Sequence, residues 1–152
     1  MKITPSGAGD QWVRERYPIE VREQRRRVHG HNRNAALVVH TDADTTATEA
    51  RYDQLAKALG SDEQAPRARD ELVAVVVPKR HTETWLHGLC GALVVEDYDY
   101  KRDPEHRLDQ DHDSRIAPAA TALFALTRQN ADDPPQNLPA LKRAVIELRR
   151  LG

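Results

Sequence analysis

Two short runs of β-branched residues constrain this chain more than anything else in it. Residues 35–40 read Ala-Ala-Leu-Val-Val-His and residues 72–77 read Leu-Val-Ala-Val-Val-Val. Both are continuous rather than alternating, the pattern of a strand covered on both faces of a sheet. Between them, residues 46–59 set Ala47, Ala50, Leu55, Ala58 and Leu59 among polar residues and stop at Gly60, which predicts a helix. The second run closes at Pro78, and residues 82–91 then offer Thr82 as a cap, with Trp85, Leu86 and Leu89 on the inner side up to Gly91. Strand, helix, strand, helix is the order of a parallel sheet with right-handed crossovers, and such sheets take ligands at the carboxyl ends of their strands.

The flanking segments predict helices. Gly7, Gly9 and Asp10 form a turn and an N-cap for a helix from Gln11, with Trp12, Tyr17, Ile19 and Val21 as its apolar side. Pro18 predicts a kink or restart near Tyr17, and Gly30 opens a polar loop through residue 34. Downstream, residues 117–128 and 138–151 predict two helices packed on the sheet as a tail, separated by Asp132-Asp133-Pro134-Pro135. At 152 residues and 39% hydrophobic content, one α/β domain accounts for the chain. Its expected parts are a sheet core over about 1–95, an acidic loop over 96–115 and the helices of 116–152.

A single cysteine, Cys90, excludes an intrachain disulfide and fits a reducing compartment. No apolar run reaches the roughly 18 residues of a membrane span, and residues 1–5 carry no signal-type apolar region. The expectation is a cytoplasmic protein with no membrane partner. Its 23 basic and 24 acidic side chains nearly cancel, but they are unevenly spread. Arg14, Arg16, Arg22, Arg25, Arg26, Arg27 and Arg33 crowd the first quarter, whereas Glu96, Asp97, Asp99, Asp103, Glu105, Asp109, Asp111 and Asp113 fill the later stretch. That asymmetry predicts a phosphate-facing end and a solvated acidic end. As phosphate contacts, Arg25, Arg26 and Arg33 give salt-dependent, sequence-independent binding; as a helix end, the same run stabilises its own dipole.

Chemistry concentrates where the two runs end. Asp42 and Asp44 follow the first strand, and two carboxylates so close repel unless a cation lies between them. A hard divalent ion, Mg²⁺ or Mn²⁺, meets that need through oxygen ligands shared with a substrate phosphate. The alternative for Asp44 is a cap on the following helix. The second strand delivers Lys79, Arg80 and, in the next helix, Glu83 to the same edge. Glu83 completes a metal-binding carboxylate set with Asp42 and Asp44, or else offsets a helix dipole. Lys79 and Arg80 hold phosphate, or else are solvated loop residues. Together the set suits phosphodiester chemistry, in which a metal activates water and cations stabilise developing charge.

These residues carry a family likeness. A strand leading to Asp42-X-Asp44, then helix and strand, resembles the Toprim domain of topoisomerases, primases and nucleases of the overcoming-lysogenization-defect type. The segments Gln11-Trp12-Val13, Pro78-Lys79-Arg80-His81-Thr82-Glu83-Thr84-Trp85 and Tyr98-Asp99-Tyr100-Lys101 resemble small bacterial Toprim-like proteins, some associated with ATPases. The resemblance implies a Rossmann-like, mainly parallel sheet flanked by helices, and a Mg²⁺-dependent nuclease acting on DNA ahead of RNA, in anti-phage defence. Its alternative is a catalytically incomplete binding or regulatory subunit of an ATPase partner; assembly with copies of itself, as a homo-oligomer, is a further partner expectation. One departure bears on this choice: Toprim domains begin with a strand that leads into a glutamate, whereas Glu15, Glu20 and Glu23 fall in the first helix.

Other signals carry less. His87 and Cys90 stand three apart without a second pair at zinc-ligand spacing. Cys90 reads as a small buried hydrophobe. Aromatic residues make up 5% of the chain, too few for a base-stacking platform.

Overall fold

The computed structural model describes residues 9–30, 35–102, 111–128, 131 and 133–152. Arg33, His31, Asp103, Glu105, His106, Asp109, Asp132 and the first eight residues lie outside them. Helix α1 spans Gly9–His29, strand β1 Leu37–His40, α2 Thr48–Ser61, β2 Val73–Val76, α3 Thr82–Leu89, α4 His112–Thr127 and α5 Pro139–Leu148, before a final 3₁₀ turn Arg149–Leu151. The fold is mixed α/β. Its two strands are parallel, with Leu37 opposite Val73 and His40 opposite Val76.

Side-chain alternation along β2 explains the layering, because successive residues of a strand face opposite sides. Val73, Val75 and Val77 enter one core with Tyr17 and Val21 of α1 and Tyr52, Leu55 and Leu59 of α2. Val76 faces a second core of Trp85, Val94, Leu138, Leu141, Ala144 and Val145, to which α3 and α5 contribute. Thus β2 is covered on both faces. Strand β1 is covered on one: Val39 is buried, but Val38 is 54% exposed. The expectation of two doubly covered strands is corrected here, since no described helix lies over the outer face of β1.

The sheet stops at β2 because side chains take up that strand's outer edge. Arg67 Nη1 donates to the Val73 carbonyl at 2.8 Å, Val75 N donates to Glu147 Oε2 at 3.2 Å, and the Tyr52 hydroxyl donates to the Val75 carbonyl at 3.2 Å. Groups that would otherwise recruit a third strand are thereby satisfied. Glu147 is itself buried and pairs with Arg67 at 2.7 Å.

Several boundaries differ from expectation. Helix α1 passes through Pro18 without restarting; Tyr17, Pro18 and Val21 are buried together, and packing of that face holds the helix where a lone proline would end it. Asp10 lies in its first turn. Helix α2 continues through Gly60 to Ser61. Thr82 is the first residue of α3 and His81 its N-cap. Helix α4 begins at His112, five residues early, because Asp111 caps it: its carboxylate accepts from Ser114 Oγ at 2.7 Å and from the Ser114 amide at 3.4 Å.

The acidic stretch is not uniformly solvated. Glu96 is buried, where it accepts from the Trp85 indole and from the amides of Ala140 at 2.7 Å and Leu141 at 3.1 Å. It therefore serves the free amides and positive dipole end of α5. Gly88 makes room at the same junction: a Cβ there would lie 2.7 Å from Leu138 Cδ1.

Candidate functional site

The ladder between the strands runs past their formal ends and shapes the turn that follows β1. Thr41 N donates to Val76 O at 3.2 Å and Ala43 N to Pro78 O at 2.8 Å. Asp44 then takes a left-handed backbone conformation, φ 55°, which costs a non-glycine residue energy and turns the chain toward α2. Beside this turn a cavity of about 830 Å³ opens at the carboxyl end of the pair. The turn 41–46, Arg80 and His81 after β2, His40 at the end of β1, the start of α1 and the segment Asp99, Lys101 and Arg102 all line it.

Asp42 is the electrostatic oddity of this cavity. Its Oδ1 is buried and has no hydrogen-bond partner. His40 Nε2 lies 3.6 Å away, at ion-pair distance when protonated, and is also within hydrogen-bond distance of Thr82 Oγ1 at 3.1 Å. Burial pushes the Asp42 carboxyl above its ordinary value, and the Glu83 charge adds to the rise; His40, His81 and Lys101 oppose it without cancelling it. Glu83 moves the other way. Burial alone would raise it, but a backbone N–H and the Lys101 ammonium at 3.2 Å hold it below the usual carboxylate range. Burial alone would raise Asp99 too, but His81 Nε2 at 3.4 Å, Arg102 Nε at 3.3 Å and the Lys101 amide together hold it below its ordinary value. At the back of the cavity the Arg51 guanidinium, almost fully buried, pairs with Asp10 at 3.0 Å.

The structure thus brings Asp42, Asp44 and Arg80 to one cavity and sets Glu83 within electrostatic reach of Asp42. Asp44 is largely exposed at the rim, 3.8 Å from Arg80 Nη1. Among the described residues no group of three or more His, Cys, Asp or Glu is arranged to hold a metal ion, so the three carboxylates do not form a closed set.

Lys79 is a correction. Its ammonium donates to the Thr46 carbonyl at 3.0 Å, pairs with Asp97 at 3.3 Å and faces a different groove, between α2 and α5. Its role is to strap the 41–46 turn to the end of β2. Arg25 and Arg26, weighed above as phosphate contacts or as a helix end, lie away from the cavity and are engaged in ion pairs. Fifteen residues of helix, about 22 Å, separate Arg25 from Asp10. Arg25 pairs with Glu71 at 2.9 Å and donates to Gln64 and the Ala65 and Pro66 carbonyls. Arg26 pairs with Glu23 on its own helix. Arg33 lies outside the described residues.

His40, His81, Asp99, Lys101, Arg102 and Arg51 are cavity residues that sequence reasoning did not select. The signal for His40 was its position as the last residue of a strand; nothing local marks Arg51. His87 and Cys90 are employed elsewhere, His87 Nε2 lying 3.4 Å from His112 Nδ1 and the Cys90 thiol 3.7 Å from the Arg115 carbonyl. No protein-family model, no curated protein and no solved structure matches this chain.

Proposed function

We propose that the cavity is a Toprim-like, Mg²⁺- or Mn²⁺-assisted site for nucleic-acid phosphodiesters, with DNA as the preferred substrate. The single observation that supports this most is the buried Oδ1 of Asp42, which has no hydrogen-bond partner and His40 Nε2 only at 3.6 Å, beside a cation-lined cavity. A carboxylate oxygen removed from water with no donor is costly to keep, and a hard cation is the partner that offsets the cost. Asp42 would hold such an ion, with Glu83 within electrostatic reach of it, and water and a phosphate oxygen would complete its shell, as is usual for Mg²⁺. When bound, the ion supplies polarisation of the phosphoryl group and a more acidic water.

The remaining roles fall to this chain's own side chains. Arg80 and Arg102 hold phosphate oxygens, Arg80 anchored through its Nε–H to the Asp97 carbonyl at 3.1 Å. Lys101 bridges Glu83 and the cavity, so that an approaching phosphate draws its ammonium away and frees the carboxylate. His81, oriented by Asp99, stands ready to carry a proton.

The test is cleavage of plasmid, single-stranded DNA and RNA with Mg²⁺ or Mn²⁺. Cleavage by the wild type that is lost in Asp42→Ala and kept in Arg25→Ala is the expected result; no cleavage of any substrate overturns the enzymatic reading. A second reading, a non-catalytic module that regulates an ATPase partner, is favoured by one observation, the unclosed carboxylate set among the described residues. A stable complex with an ATPase partner, with no cleavage of any nucleic acid, is its expected signature.

A further inference from the structure

Among the described residues, helix α4 packs through only one of its sides. Ala119 is buried, and Leu123 and Leu126 pack on the second core. Flanking that packed side, Ile116 is 52% exposed and Phe124 62% exposed, with Ala117 and Ala120 also exposed between them. At about 100° per residue, Asp113, Ile116, Ala117, Ala120 and Phe124 share one outward stripe. Arg128, the C-cap residue, joins its end, with its guanidinium carbon 5.2 Å from the Phe124 ring centroid.

That stripe is self-complementary. Ile116 stands four residues before Ala120 and Phe124 four after it; Asp113 stands near one end and Arg128 near the other. We infer that the outward face of α4 pairs antiparallel with α4 of a second copy of this chain, about a two-fold axis at Ala120. The antiparallel direction sets Ile116 against the second copy's Phe124 and Asp113 beside its Arg128, whereas a parallel pair would oppose Asp113 to itself. Alanine at the crossing point allows the backbones close approach. A two-fold interface uses one patch twice, which is what a patch palindromic in size and opposite in charge at its ends provides. No residue of α4 lines the cavity, so the pairing stands or falls independently of the function proposed for that site. One helix face is a small interface, so the association is weak and concentration-dependent.

Sedimentation velocity of the full chain at rising concentration is expected to show monomers passing into dimers. Phe124→Asp, at an exposed position, leaves the thermal melt unchanged and weakens dimerisation by about tenfold or more. Asp113→Arg weakens it less, and adding Arg128→Asp restores it. In a Cys90→Ser background, Ala120→Cys forms a disulfide-linked dimer on mild oxidation, while Ala125→Cys, about 140° round the helix, does not. A wild type that stays monomeric throughout, a Phe124→Asp variant that dimerises as tightly as the wild type, or equal cross-linking at both cysteine positions overturns the inference.

Discussion

Arg25 and Asp42 belong to opposite ends of the same pair of parallel strands, and their surroundings differ in kind. Near the amino end, Arg25 holds Glu71, Gln64 and two carbonyls, while Arg67 and Glu147 are paired to each other and to the edge of β2. Charge there is saturated, and it fixes loops and strand edges. At the carboxyl end Asp42 keeps a buried oxygen with no donor, Asp44 adopts a left-handed turn, and Glu83 and Asp99 are held by cations at the cavity wall. The same residue types serve architecture where their valences are filled. Where one is left open, they leave room for a ligand.

The sharpest way to break the saturated end is Glu147→Ala. It strands the half-buried Arg67 guanidinium and unsatisfies Val75 N, so a loss of about 3–5 kcal/mol is expected in urea unfolding. Next in size is Glu96→Ala, which removes the acceptor of the Trp85 indole and of two α5 amides. It is expected to cost about 2–3 kcal/mol and to shift tryptophan fluorescence. Arg25→Ala, partly solvated, is expected to cost about 1 kcal/mol in the same assay and to leave metal and nucleic-acid binding unchanged.

The smallest effect separates the two ends by sign. Glu147 is buried, which alone would raise its carboxyl, but Arg67 and the Val75 amide hold it below the ordinary range. Its stabilisation is complete at neutral pH and disappears as pH falls through the folded-state value. Asp42 is shifted upward by burial, so the folded chain binds its proton more tightly than the unfolded one, and stability falls as pH rises between the two values. Melting curves against pH should therefore lose part of their acid slope in Glu147→Gln. In Asp42→Asn they should lose the opposing contribution and gain slightly in stability at neutral pH. A neutral-pH loss in Asp42→Asn would mean that its carboxylate is a structural partner like Glu147.

Sequence made the first level of this organisation legible. Val73, Val75 and Val77 announce a covered strand because burial on both faces requires apolar residues without alternation. Asp42, Asp44 and Arg80 follow strand ends, and topology alone carries strand ends of a parallel pair to one edge. What stayed hidden depends on distant partners. Glu96 and Glu147 look like solvated acids until Trp85, α5 and Arg67 are placed around them. Arg25 and Arg26 are adjacent in sequence yet take unrelated partners, Glu71 and Glu23. Lys79 precedes Arg80 but lines another groove, because its ammonium is drawn to the Thr46 carbonyl, although both cations also lie beside Asp97. The outer face of β1 carries the same apolar letters as β2, so its exposure follows only from the absence of a covering helix among the described residues.

The most direct measurement is Mn²⁺ binding followed by electron paramagnetic resonance, with the wild type, Asp42→Asn and Arg25→Ala compared at one ionic strength. The expected result is saturable binding by the wild type, weakened by about tenfold or more in Asp42→Asn and unchanged in Arg25→Ala. Equal binding by the wild type and Asp42→Asn, or no binding by the wild type, would contradict the assignment of the open valence at Asp42 to a metal ion.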